Sequence, residues 1–274
     1  MNTLNNILKY LKLKRGLDFS GNRSSMLNRR IQKRIFLSNS GDINGYQKYL
    51  EQNDLELDKL IDVLTINVSR FFRNTFNFEF ITDYILPSLI IEKTKSYDSQ
   101  LRVWSAGCAA GEEPYSIAIL IREIIEKENL KLDTTIIATD IDKNILKSAA
   151  KGLYKYESIK SIKYHLLEKY FIKKEDTFKL KSEIKKMVSF SEFDMLSTKS
   201  YVPSESIYGS FDIVLCRNLL IYFNTEFQEI IFKKLYRALN PGGHLILGES
   251  EVLPEKYKSK FIRVNKLCKV YQIR

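Results

Sequence analysis

The residues whose types and spacing carry most chemistry lie between Leu101 and Leu120, in the run LRVWSAGCAAGEEPYSIAIL. A short apolar stretch (Leu101, Val103, Trp104) enters a series of small residues from Ser105 to Gly111. Two acids, a proline and apolar residues at helical spacing follow. This reads as a strand, a tight turn and a helix start, and Gly107 in the turn lets backbone come close to a bound ligand. A helix start that held a pyrophosphate would be kept clear of acids, because that end of a helix attracts anions. Glu112 and Glu113 stand there instead, so a neutral or cationic ligand fits better. S-adenosylmethionine, a sulfonium without phosphate, has that character.

Other strand ends add polar groups. Ala138-Thr139-Asp140-Ile141-Asp142 closes a second strand with an acid suited to accept both ribose hydroxyls; the competing use of either aspartate is as a helix cap. We assign Asp140 to the ribose and Asp142 to the cap. Phe193-Asp194-Met195 ends a later strand where an adenine would lie, with Asp194 accepting its amino hydrogen and Met195 framing the ring; the plainer reading is a loop acid. Arg217-Asn218 ends a further strand, and ligands in such sheets gather at strand carboxyl ends. Beyond it, Tyr222 is a candidate for lining a transfer site, while Phe223 reads as core. Upstream, Thr65 to Arg73 mixes polar groups with Phe71 and Phe72, and an extended backbone would put Asn67 and Ser69 on one side.

The elements that must position these residues follow from periodicity. Residues 1–76 read as a helical N-terminal domain. Leu27, Ile31 and Ile35 share one helix face by i, i+4 spacing, Arg29, Arg30, Lys33 and Arg34 fill the adjoining face, and Ser24 or Ser25 is the expected cap. Residues 77–274 alternate strand and helix, the signature of an α/β domain with a mainly parallel sheet. The expected strands are 101–105, 135–139, 187–193, 211–216 and 244–248, with a terminal hairpin at 261–264 and 269–273. Pro241-Gly242-Gly243 forms a turn ahead of His244. Around 154–190 the rhythm breaks into a small antiparallel β-subdomain: a helix from Tyr154 to Tyr170, then strands at 170–174, 177–181 and 186–190.

The 274 residues carry a net charge of +11, with ten basic side chains against two acids in residues 1–49. An uneven charge suggests a partner surface there, although a lysine-rich background explains the total equally well. No apolar run approaches a membrane span. Cys108, Cys216 and Cys268 lie far apart without metal-ligand spacing, as expected of reduced thiols in a cytoplasmic protein that uses no metal.

Together the motifs TINVSRFFRN, VWSAGCAAGEEPYSIA, ATDID, LCRNLLIYF and LNPGGHLILGESE resemble, in order and over nearly the whole chain, the chemotaxis receptor glutamate methyltransferases of the CheR family. The resemblance implies an all-helical N-terminal domain, a Rossmann-like domain with an inserted β-subdomain, and S-adenosylmethionine as methyl donor. It implies cofactor contacts at Asn67, Ser69, Arg73, Glu112, Asp140, Asp194, Met195, Arg217 and Asn218, to which the loop reading adds Gly107. Ser69 stands where the family often has threonine, and Asp194 where it often has asparagine.

The implied reaction gives glutamate methyl esters on chemoreceptors and S-adenosylhomocysteine. A glutamate with a pKa of about 4.3 is already ionised at neutral pH, so no general base is needed; His165 and His244 are unpaired in the sequence. Arg73 and Tyr222 are the candidates for positioning the carboxylate. Arg29, Arg30, Lys33 and Arg34 would face the acidic receptor bundle, and the resemblance implies that the β-subdomain would dock a receptor tail peptide where a member of the family uses one. The expected protein is a monomer without nucleic acid. The rival readings are an RNA methyltransferase with a basic N-terminal domain and a sensor that binds the cofactor without turnover.

Overall fold

Periodicity divides the chain into a helical part and an alternating part, and the computed structural model, which describes residues 2–15, 17–65, 69–96, 99–206 and 210–274, follows that division. Two compact units result: Met1–Asn67 with Ile221–Gln228, and Val68–Leu220 with Glu229–Arg274.

The first unit holds four helices, α1 (Asn2–Arg15), α2 (Ser24–Ser38), α3 (Ile43–Gln52) and α4 (Asp54–Thr65). The expected stripe of Leu27, Ile31 and Ile35 is buried against Ile7 and Leu11, Tyr46 and Leu50, and Leu57, Leu60 and Leu64. Neither serine caps α2. Arg23 occupies the cap position without a side-chain cap bond, and its N–H donates to the Tyr222 carbonyl at 3.0 Å.

The expected cationic face is partly turned inward. Arg34 donates twice to Glu56, at 2.9 and 2.7 Å, and the fully buried Tyr46 hydroxyl donates to the same carboxylate at 2.9 Å. Arg30 donates to the Val63 and Leu64 carbonyls at 2.5 and 3.1 Å, satisfying groups that the end of α4 leaves open. Arg29 and Lys33 are exposed.

In the second unit the strands β1 (Gln100–Ala106), β2 (Asp133–Asp140), β3 (Leu153–Lys155), β4 (Phe171–Lys174), β5 (Thr177–Leu180), β6 (Val188–Glu192), β7 (Phe211–Cys216), β8 (Leu239–Leu247), β9 (Phe261–Arg263) and β10 (Val270–Ile273) form two sheets. The large sheet has the order β6-β2-β1-β7-β8-β10-β9, parallel from β6 to β8 and antiparallel beyond. Every residue of β7 is buried, as expected of a parallel strand covered on both faces. Trp104 is fully buried, and its indole N–H donates to the Thr139 hydroxyl at 3.0 Å, tying β1 to β2. Helices α5 (Thr75–Phe80) and α6 (Leu86–Lys95), joined by a π-helical turn (Ile81–Ile85), lead into β1; α7 (Glu112–Lys127) and α8 (Lys143–Lys151) follow β1 and β2.

Three details differ from the sequence-based expectation. The small sheet has the order β3-β5-β4, so its third strand is Leu153–Lys155, and residues 186–190 run instead into β6 beside β2. Left-handed Gly152 ends α8 and turns the chain directly into β3, a strand too short to show a period. The single helix expected from Tyr154 is two short ones, α9 (Tyr156–Ile159) and α10 (Tyr164–Tyr170). Pro241-Gly242-Gly243 lies within β8 as a bulge: Phe211 pairs with Leu239 while Ile213 pairs with His244.

The second unit also begins before the expected boundary at 76/77. The Phe71 N–H donates to the Ser158 carbonyl at 2.9 Å, and its ring packs edge-on against Tyr154 and Phe171. Among the described residues no helix is long and apolar enough to cross a membrane.

Replacing Glu56 by alanine strands the Arg34 guanidinium and the Tyr46 hydroxyl, so we expect a loss of about 3–5 kcal/mol in the denaturant unfolding of the helical unit. A loss below about 1 kcal/mol would mean that the cluster acts as a surface pair. His244 is buried, its Nδ1 has no partner, and burial pushes its pKa from 6.5 down to about 4. The unfolded chain takes up the proton that the folded chain refuses, so this contribution is complete above pH 6.5 and is lost as pH falls toward 4. The loss is on the order of 3 kcal/mol. Unfolding of His244→Gln measured across this window should show a correspondingly smaller fall with acid than the unsubstituted chain.

Candidate cofactor site at the strand ends

The large sheet changes direction at β1: the chain moves outward to β2 and β6 on one side, and to β7 and β8 on the other. The carboxyl ends of β1 and β7 therefore open the crevice in which such sheets bind ligands. The expected residues of β1, β2, β6 and β7 all sit at these ends.

After β1, the N–H groups of Gly107 and Cys108 both donate to the Thr139 carbonyl, at 2.8 and 2.9 Å, folding the loop over β2. Gly107 has φ of 75°, and a Cβ there would meet Leu219 at 3.0 Å. Asp140 braces the same loop: its Oδ2 accepts from Ala109 N at 3.0 Å and its Oδ1 from Asp142 N at 3.1 Å. Each oxygen keeps a second lone pair, and burial raises the pKa of the carboxyl. Asp142 caps α8, accepting from Asn144 N and Ile145 N at 2.8 and 3.2 Å. The Phe193 N–H donates to the Asp140 carbonyl at 3.0 Å, bringing the Asp194-Met195 turn beside the acid. Asp194 itself accepts from Leu196 N at 2.8 Å, and Met195 is buried.

The two acids at the start of α7 play different parts. Glu113 accepts from the Ser105 hydroxyl at 2.8 Å and from Arg217 Nη1 at 3.1 Å. Glu112 is only 3% exposed; its Oε1 accepts from Ser158 at 3.2 Å, and the Ser69 hydroxyl also bonds to this carboxylate. Its Oε2 is buried without a partner, and burial raises the pKa. A buried acceptor left open is costly, and an ammonium group would satisfy it.

Arg217 points into the protein. Besides Glu113 it donates to the Arg73 carbonyl at 2.6 Å and to Asn74 Oδ1 at 3.2 Å, and its guanidinium lies 5.0 Å from the centre of the Phe78 ring. It therefore ties β7 to the segment bearing Arg73 rather than offering its charge outward. Phe72 and Asn74, on either side of Arg73, both have positive φ, 51° and 62°. Such backbone persists only where surroundings enforce it, and it clusters at functional sites. Asn67 lies outside the described residues. Tyr222 is counted with the first unit, where the Arg30 guanidinium stands 5.9 Å from its ring centre.

One residue escaped the sequence reading. Glu251, 3% exposed, accepts four backbone N–H groups: Asn218 at 3.0 Å, Leu219 at 2.9 Å, Leu220 at 2.7 Å and Gly248 at 2.6 Å. It shapes the loop after β7, including Asn218 at φ of 58°. The signal was its place as the last residue of the motif LNPGGHLILGESE, just past a buried apolar strand, although that motif gave it no role.

These residues suit S-adenosylmethionine: an acid for the ribose, an open carboxylate oxygen for the amino group, and a close-approach glycine. The family model described as the CheR methyltransferase SAM binding domain matches residues 67–268, and that of the CheR methyltransferase all-alpha domain matches residues 2–65. A chemotaxis protein methyltransferase of Borreliella burgdorferi is 30% identical over 253 residues, covering 91% of this chain and 88% of that protein. Chemotaxis protein methyltransferase 2 of Vibrio cholerae is 33% identical over 245 residues, covering 88% and 82%. A chemotaxis protein methyltransferase of Salmonella typhimurium is 30% identical over 242 residues, covering 86% and 78%. The crevice at the strand ends and the two matched domains agree: the chain belongs to the CheR family of S-adenosylmethionine-dependent methyltransferases.

Proposed function

We propose that this chain, in the cytoplasm, moves the methyl of S-adenosylmethionine to glutamate side chains of chemoreceptors, leaving glutamate methyl esters and S-adenosylhomocysteine, with the residues at the strand ends holding the donor. The observation that carries the site assignment is Glu112, whose buried Oε2 lacks a donor while Asp140 stands at the next strand end. The names of the relatives support the substrate class.

When bound, S-adenosylmethionine supplies a methyl group made electrophilic by the sulfonium. Asp140 accepts the ribose hydroxyls on its remaining lone pairs, and Glu112 accepts the amino group. Asp194 and Met195 frame the adenine, with Gly107, Ser69 and Asn218 lining the rest. Arg73, fixed through its own carbonyl by Arg217, orients the incoming carboxylate. The substrate carboxylate arrives ionised, so no residue has to take a proton. The work of the chain is alignment of oxygen, methyl carbon and sulfur, for which effective concentration is the main lever.

Arg29 and Lys33, exposed on α2, give the helical unit its attraction for an acidic receptor bundle; Arg30 and Arg34 contribute mainly by holding α2 against α4. A receptor tail peptide would add to an edge of the small sheet, at β3 or β4. A monomer suffices for these roles.

Asp140→Ala should weaken S-adenosylhomocysteine binding by about 1.5–3 kcal/mol in calorimetry while the chain stays folded; unchanged affinity would remove Asp140 from the site. The reaction is tested by transferring labelled methyl to receptor-containing membranes and then adding mild alkali. Release of the label as methanol is expected of a carboxyl ester. Alkali-stable label, or label in added RNA, would overturn the substrate, and intact binding without any transfer would favour the sensor.

A further inference from the structure

Lys234 projects from the helix Thr225–Ala238 and is only 2% exposed. Its ammonium donates to the Ser197 carbonyl at 2.6 Å and to the Asp194 carbonyl at 3.2 Å, and it lies 4.8 Å from the centre of the Phe193 ring. These partners all belong to the turn that leaves β6. The same turn is closed by Leu196 N donating to Asp194 Oδ1 and by Ser197 N donating to the Asp194 carbonyl.

An ammonium withdrawn from water is expensive unless its donors are met, and burial lowers the pKa of this one. An apolar residue of similar volume would fill the space at lower cost. What it would not supply is a fixed pair of donors for two carbonyls three positions apart in one irregular turn. Since the Phe193 N–H is bonded to the Asp140 carbonyl at 3.0 Å, the turn is anchored at one end by β2 and further along by Lys234. Asp194 and Met195 lie between these anchors.

We propose that Lys234 is a positioning residue for the adenine of S-adenosylmethionine, clamping the 194–197 turn so that Asp194 and Met195 meet the base. This rests on the reading of Asp194 and Met195 as adenine contacts. Lys234 touches no reacting atom, so its effect falls on cofactor affinity and not on the transfer step.

The test uses the full chain with Lys234→Met, which keeps the apolar stem and removes the donors, and Lys234→Arg, which keeps two or more. Calorimetry with S-adenosylhomocysteine and with adenosine should show the methionine variant weakened about tenfold for both, the scale of one lost charge-assisted hydrogen bond. Its KM for S-adenosylmethionine should rise by the same factor, with kcat at saturation within about twofold, and the arginine variant should recover part of the affinity. A folded Lys234→Met chain with unchanged affinity, even if its melting temperature has dropped, would reduce Lys234 to a structural residue and overturn the proposal. A fall in kcat with KM unchanged would overturn it as well. Asp194→Ala separates the two levels. If that variant binds S-adenosylhomocysteine and adenosine as before, the adenine reading fails and takes the Lys234 role with it. If it weakens both ligands while Lys234→Met does not, only the Lys234 role fails.

Discussion

The buried ion pair of Arg217 and Glu113 is the constraint on which the site depends. It joins the end of β7 to the start of α7, and the second terminal nitrogen of Arg217 donates to the carbonyl of Arg73 and the side chain of Asn74. Two desolvated charges are poor sources of stability by themselves, because withdrawal from water offsets most of their attraction. What the pair provides is geometry. A guanidinium has its donors in one rigid plane, so three separate chain segments are held at fixed angles to one another. Phe72 and Asn74 can then keep left-handed backbone that would relax without this restraint.

The same physics recurs with opposite sign on the two flanks of the crevice. Loops that leave strand ends carry backbone groups with no ladder partner, and inside a protein those groups must be satisfied. The loop after β7 presents N–H groups, and the carboxylate of Glu251 gathers them together with the N–H of Gly248. The turn after β6 presents carbonyls, and the ammonium of Lys234 gathers two of them. Each buried charge thus stands in for the secondary structure that a binding loop lacks. Close packing follows from this arrangement: a side chain at Gly248 would meet Glu251 Oε2 at 2.8 Å.

Much of this was legible in the sequence where the signal was local. The ends of β7 follow from an apolar run bounded by turn residues, and Asp142 as the cap of α8 follows from cap chemistry. Strand β3 was not legible, because three residues after a left-handed glycine show no alternation. Arg30 and Arg34 looked like part of an exposed, receptor-facing cationic face because spacing alone cannot tell an exposed cation from one opposite Glu56 or the end of α4. Glu251 and Lys234 act across 31 and 40 positions of chain, and no pattern of neighbours announces such partners. Sequence periodicity reports which face of an element is covered; it does not report which backbone group a buried charge will find.

Glu112 and Glu113 show how far that limit reaches into function. Adjacent in sequence and both at the head of α7, they are not told apart by spacing, which says only that the ligand would be neutral or cationic; the family resemblance alone singled out Glu112. Folding separates them. Glu113 is satisfied by Arg217 and Ser105, so it has no electrostatic demand left for a ligand. Glu112 receives two hydroxyls and its own backbone N–H but no cation, and it retains a buried oxygen with no donor. Since burial raises the pKa of this carboxyl, a cation brought beside it would lower the pKa again. The open oxygen therefore favours a donor that carries its own positive charge. A phosphate ligand would find repulsion at the same place, so the proposed placement of the amino group of S-adenosylmethionine on Glu112 is one that a dinucleotide could not share.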